Sequence, residues 1–109
     1  MEEVHMVTVN VVVLAGTLAA DPEVQELPSG DVVSKLRLKV PENGKRVLPL
    51  PVAAWTAPTR RAAKDLTKGD RVMVEGHLER RFYRSGGGGA SSITEVVAKE
   101  IKRLPDDET

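Results

Sequence analysis

The sequence predicts an all-β domain: a five-stranded barrel with one short α-helix between the third and fourth strands. Three observations lead there. Apolar residues recur mainly with a period of two, the period of a strand with one buried face. Turn-forming groups punctuate the chain at Asp21-Pro22, Pro28 to Asp31, Asn43-Gly44, Gly69-Asp70 and Gly86 to Gly89. Helix-start signals are strong at one segment, from Thr56 to Leu66.

The first strand is read over Val7 to Leu14, a β-branched run with Asn10 as its one strongly polar residue, continuing past a bend at Gly16 to Leu18. The second, Val33 to Val40, alternates cleanly. Leu36, Leu38 and Val40 share one face and Lys35, Arg37 and Lys39 the other. Asn43-Gly44 predicts a hairpin, because both residues tolerate positive φ. The return strand, Arg46 to Trp55, contains Pro49 and Pro51. Proline donates no ladder hydrogen bond, so an edge or distorted strand is expected. Thr56 is the expected N-cap of a helix from Pro58 to Leu66, with Ala62, Ala63 and Leu66 toward the core. The fourth strand places Val72, Val74, Gly76 and Leu78 on one face and Met73, Glu75, His77 and Glu79 on the other. A last strand runs from Ile93 to Leu104, and Pro105 stops it. Five strands with a helix after the third is the order of the OB-fold.

Composition narrows the function. The chain has 109 residues, the size of one domain, and 40% apolar content, enough for a core. It contains no cysteine, which excludes a disulfide framework, a thiolate zinc site and a cysteine nucleophile. No apolar run reaches membrane-spanning length and the N-terminus carries no secretory pattern, so a cytoplasmic protein is expected. The zero net charge hides a segregation. Residues 1–31 hold Glu2, Glu3, Asp21, Glu23, Glu26 and Asp31 and no Lys or Arg. All 16 Lys and Arg lie in residues 32–104, and Asp106, Asp107 and Glu108 follow. The central excess of cations is the footprint of a polyanion-binding surface.

Enzyme readings find little purchase, and no catalytic residue, metal or cofactor is predicted. His5 and His77 have no ligand set around them. The glycine run is followed by Ala-Ser-Ser rather than Gly-Lys-Ser/Thr, so it is not a phosphate loop. No nucleophile elbow or acid–base pair stands out.

Five motifs occur in order: Asn10-Val11-Val12-Val13-Leu14-Ala15-Gly16-Thr17-Leu18; Asp21-Pro22-Glu23-Val24; Pro28-Ser29-Gly30; Lys68-Gly69-Asp70-Arg71-Val72-Met73-Val74-Glu75-Gly76; and Thr94-Glu95-Val96-Val97-Ala98. Together they resemble the bacterial single-stranded DNA-binding protein family over residues 10–104. The resemblance implies an OB-fold, sequence-tolerant binding of single-stranded DNA in replication, recombination or repair, and a homo-oligomer, tetramer before dimer, with subunits paired through the first strand. One domain over residues 1–104 and a short acidic end at 105–109 follow. The motif glycines, Gly16, Gly30, Gly69 and Gly76, are expected at turns or close backbone approaches.

The site residues follow from pattern and resemblance together. Lys35, Arg37 and Lys39 would stand about 7 Å apart, near the phosphate repeat of an extended strand. By resemblance their strand belongs to the binding surface. Trp55, just before the helix, and Tyr83, at the end of the fourth strand, fall where the family has base-stacking aromatics. Alternation puts Arg81 beside Tyr83, with Arg80 and Phe82 opposite; Phe82 is expected to pack. Arg84 at the hairpin tip and Arg60 at the helix start complete the cations. The chain departs from the family in having only three aromatics, none between residues 40 and 54, and no long tail ending in an acidic hydrophobic tip. Few stacked bases imply binding that leans on charge and is salt-sensitive. Two rival readings remain: a dimeric primosome accessory protein, and an OB-fold interaction scaffold without nucleic acid.

Overall fold

The computed structural model describes residues 8–41, 47–84 and 87–105. Its elements are β1 (Val12–Leu18), β2 (Glu23–Glu26), β3 (Val32–Lys39), β4 (Leu50–Ala54), α1 (Ala57–Lys64), β5 (Arg71–Arg84) and β6 (Ala90–Arg103). They form one sheet in the order β1-β5-β6-β4-β3-β2, and β1 also pairs with β3. That extra pairing closes β1, β5, β6, β4 and β3 into a ring, with β2 attached outside. All pairings are antiparallel except the short β4–β6 contact, Val52 with Val96 and Ala53 with Val97.

The inward row of each strand builds the core. Leu18, Leu36, Leu38, Val52, Ala54, Val72, Val74, Val96, Ala98 and Ile101 pack together inside the ring. The α1 helix plugs one end with Ala63, and Leu66, two residues beyond the helix end rather than within it as expected, packs into the same core. Thr56 caps it: its Oγ1 accepts from the Thr59 amide, and Thr59, itself buried, donates from its hydroxyl back to the Thr56 carbonyl. Burying these aliphatic rows supplies the dominant stabilising term, about 25 cal/mol per Å² of apolar surface removed from water.

Several elements differ from expectation. A short strand, β2, lies between the two turns at Asp21-Pro22 and Pro28 to Asp31 and pairs with β3. All four of its residues are exposed, so it carries no hydrophobic period to read. β1 begins only at Val12, and residues 8–11 form no strand. β4 lies between β3 and β6 rather than at an edge. Pro51 is tolerated because its ladder partner is Arg37 of β3, whereas pairing to β6 begins one residue later. Pro49 precedes the strand altogether. Val7, the Asn43-Gly44 turn, Arg46, Gly86 and the acidic end at 106–109 lie outside the described residues.

Two glycines sit where backbones nearly touch. At Gly16, a Cβ would stand 2.2 Å from the Lys39 carbonyl oxygen, beside the Thr17–Lys39 pair that closes the ring. At Gly76, at the β5–β6 register shift, it would stand 1.9 Å from the Val97 carbonyl oxygen. The other motif residues tie loops together. The Asp21 carboxylate accepts from the Lys68 amide at 2.7 Å, and the Leu18 amide donates to the Asp70 carbonyl at 2.9 Å. The Asp70 carboxylate in turn accepts from the Thr67 amide.

Gly16→Ala is expected to cost about 2–3 kcal/mol through overfilling and to lower the thermal midpoint by roughly 10–20 °C. Thermal unfolding followed by far-UV circular dichroism checks this; an unchanged midpoint would mean that the ring does not depend on contact at Gly16.

Candidate nucleic-acid interface

Alternation along β3 carries through as expected: Leu36 and Leu38 are buried, Arg37 and Lys39 exposed, and Lys35 half-buried. The outward row of β3 meets the outward rows of three further strands. Lys35 and Arg37 on β3, Pro51 on β4, Ile93 and Glu95 on β6, and Arg81 on β5 line one open cleft of about 370 Å³, which the core-row residues Leu36 and Val52 also border. Cations from strands far apart in sequence thus converge over a partly apolar floor. The face runs β3-β4-β6-β5, so the last strand contributes to it. Nothing in the spacing of β6 pointed to Ile93 and Glu95 as site residues; they become visible only when the β5–β6 register sets Ile93 opposite Arg81.

The cleft is not uniformly basic. Asp21 and Glu23 stand on its rim, and Glu23 is the cross-strand partner of Lys35. Glu95 is 6% exposed, and its Oε2 lies 3.8 Å from Nη2 of Arg81. With Arg81 partly exposed, that pair is worth little as stability. It holds the guanidinium over the cleft floor.

Lys39 lies further along the same face, opposite Thr17 at the ring closure. Tyr83 shares the Arg81 row and is 52% exposed. Trp55 follows Ala53 in the outward row of β4 and is half-buried. Val33 and Ala53, on that face by alternation, are fully buried, so this end of the face is covered rather than open. Lys39, Trp55 and Tyr83 flank the cleft rather than line it. Arg84 stands opposite Ala90 in the ladder, and its side chain lies outside what the structure describes.

Two residues differ from expectation. Arg60 points to the helix side, where with Val32, Ser34, Ala57, Arg61 and others it borders a separate hollow of about 300 Å³. Its Nη1 donates to the carbonyl of Trp55 and, at 3.4 Å, to that of Val32. The side chain therefore ties the β4–α1 junction, at the Trp55 carbonyl, to the start of β3, at the Val32 carbonyl. Phe82, expected to pack, is 70% exposed. It belongs to a part of β5 that has left the barrel, so no core lies beneath it.

That departure has a clear root. β1 pairs with β5 up to Gly76, and β4 pairs with β6 at Val96 and Val97. Beyond, residues 79–84 and 90–95 continue as a two-stranded ribbon. At its root the Asn10 side-chain amide acts as a ladder partner. Its Nδ2 donates to the Leu78 carbonyl at 2.8 Å, and its Oδ1 accepts from the Leu78 amide at 2.9 Å. Among the described residues no group of three or more His, Asp or Glu could hold a metal ion.

A closed five-stranded ring with a helix plug after the third ring strand defines an OB-fold, here with a cleft across the sheet face that gathers cations. Residues 9–104 match the model of the single-strand binding protein family, and the chain belongs to that family. Similar curated proteins include a single-stranded DNA-binding protein of Corynebacterium glutamicum, 33% identical over 83% of this chain. Single-stranded DNA-binding protein 2 of Listeria innocua is 33% identical over 87% of the chain, and a single-stranded DNA-binding protein of Clostridium tetani 34% over 87%. The chain covers 44%, 64% and 70% of their respective lengths. Among solved structures, that of a Plasmodium falciparum SSB complex with ssDNA superposes with a TM-score of 0.78 at 20% identity, covering 94% of this chain and 100% of the other. That likeness establishes the shared fold.

Arg60→Ala is expected to lose about 1–2 kcal/mol, since hydrogen bonds from a charged donor to two carbonyls disappear, and to lower the thermal midpoint by roughly 5–15 °C. Differential scanning calorimetry against Arg61→Ala, whose side chain is exposed, isolates the effect.

Proposed function

We propose that this protein binds single-stranded DNA without sequence preference and without catalysis, covering exposed strands in replication, recombination or repair. The observation that carries the reading is the convergence of Lys35, Arg37 and Arg81 from two separated strands on one cleft, in a chain of the single-strand binding family. Single-stranded DNA is what the named relatives bind.

The division of labour follows from placement. Lys35, Arg37, Lys39, Arg81 and Arg84 neutralise phosphates; each neutralised phosphate releases counterions. Trp55 and Tyr83 stack on bases at the two ends of the cleft. Glu95 and the rim carboxylates repel phosphate, which keeps the backbone on the outer cations and turns bases toward the apolar floor. Arg60 contributes through Trp55, whose carbonyl it holds, rather than by touching phosphate. Residues 1–104 act as the one binding domain, with 105–109 a short acidic end.

The protein works as a homo-oligomer, a tetramer in preference to a dimer. Support comes from β1 and the segment before it. Val9, Val11 and Val13 form an exposed apolar row, and the strand pairs with β3 only at Thr17 and Leu18, leaving an edge open along its N-terminal half. Contiguous exposed apolar surface beside an open strand edge is an association surface. The site of action is the cytoplasm; among the described residues no helix is long and apolar enough to cross a membrane.

Titration of Trp55 fluorescence with oligo-dT tests the reading. Binding with quenching is expected, and absence of any affinity at low salt would overturn it. Replacing Lys35, Arg37 and Lys39 together by Ala should weaken binding and reduce the slope of log K against log salt by about 2, at roughly 0.7 per phosphate contact. An unchanged slope would favour the interaction-scaffold alternative. Trp55→Ala and Tyr83→Ala should each cost about 1–3 kcal/mol of binding, most visibly at high salt. Sedimentation velocity distinguishes tetramer from dimer.

A further inference from the structure

The β5–β6 ribbon has two faces of different chemistry. On the Tyr83 face, Glu79 stands directly opposite Glu95, and Arg81 lies within reach of the Glu95 carboxylate. On the other face, beyond Leu78, the described residues contribute Arg80, Phe82, Thr94, Ser92 and Ala90, with no carboxylate among them. Phe82 is the more exposed of the two ribbon aromatics, 70% against 52% for Tyr83. The Arg80 guanidinium sits 5.7 Å from the centre of the Phe82 ring, a cation–π arrangement. At the root of this face Leu50 and Leu78 are partly exposed and border a cavity of about 260 Å³, with Glu95 at its edge.

We infer that Arg80 and Phe82 form a second contact for single-stranded nucleic acid, so that a bound strand passes over the ribbon and engages both faces. This rests on the single-strand reading above and extends it to residues on the reverse side. A bare aromatic ring exposed to water on a two-stranded ribbon has no core to join. One of its faces is covered by a cation; the other is open to a planar base. Base stacking is sequence-tolerant, since every base has a π-face. The guanidinium that covers the ring also meets the phosphate beside a stacked base, and the described ribbon residues on that face beyond Leu78 include no carboxylate to compete. Charge thus selects a polyanion over a second copy of the ribbon, whose own arginines would be repelled.

The experiment uses the full chain and an oligo-dT of about 30 nucleotides, roughly twice the largest span of one OB-fold. Phe82→Ala should weaken binding about five- to a hundredfold while leaving the thermal midpoint unchanged, because the ring is exposed. Arg80→Ala should reduce the salt slope by about 0.7. Phe82→Trp should retain affinity, and its added emission should be quenched by the oligonucleotide. Binding by Phe82→Ala equal to wild type, under conditions where Tyr83→Ala binds weakly, would overturn the inference and leave the cleft reading intact. A change in sedimentation without a change in affinity would also overturn it, assigning the face to self-association. A wild-type protein that does not bind the oligonucleotide at low salt would instead remove the single-strand reading itself.

Discussion

Closure of the sheet at Thr17–Lys39 and Leu18–Leu38 is the contact on which the rest of the molecule depends. It is only two residue pairs long, and it requires β1 to approach Lys39 so closely that Gly16 has no room for a Cβ. Without it the sheet would be an open one, and its inward rows would face water. With it, β3 is held at a fixed angle to β5, and cations separated by more than 40 positions come to share one cleft. The loop residues that support the closure are the same polar motif residues that mark the family. Asp21 holds the Lys68 amide, and Asp70 and Gly69 bracket Leu18 with backbone hydrogen bonds. The motifs act here as struts.

Much of this was legible from residue order alone. The Lys35, Arg37 and Lys39 row was readable because a strand buried on one face must alternate. The Thr56 cap was readable because the first turn of a helix leaves amides that a threonine oxygen satisfies. What escaped notice had no periodic signature. β2 has one apolar residue, Val24, and buries neither side, so no alternation marks it. Glu95 belongs to the site only through pairing between strands, which spacing within one strand does not encode. Phe82 was misread for a related reason. Its period is that of the core row, but β5 outlives the barrel, and the local pattern does not reveal where a strand's neighbours end. Leu78 shows the same effect one turn of the pleat earlier, being partly exposed although Val72, Val74 and Gly76 in its row are buried.

The cleft also shows that net cation content is a poor guide to how a strand-binding surface works. Carboxylates stand within it, one of them almost wholly buried. Alternating signs over a short distance impose orientation. On the proposed reading, the outer arginines and lysines hold a polyanion and the carboxylates turn it from the floor, where uncharged ring surface is the better occupant. The uncharged parts of that floor include Pro51, Val52 and Ile93, all of them aliphatic.

The Asn10 amide bears on how the ribbon moves. By gripping both polar groups of Leu78, a single side chain substitutes for a missing strand and fixes the last anchored point of β5. Past that point β5 and β6 pair in the ladder with each other alone among the described residues, and two-stranded ribbons twist more than wide sheets. Asn10 therefore sets the arm's free length: a grip nearer the tip would stiffen it, and one nearer the barrel would let it sway. The reach of Arg81, Tyr83 and their neighbours is a mechanical property, set by an asparagine at the arm's root.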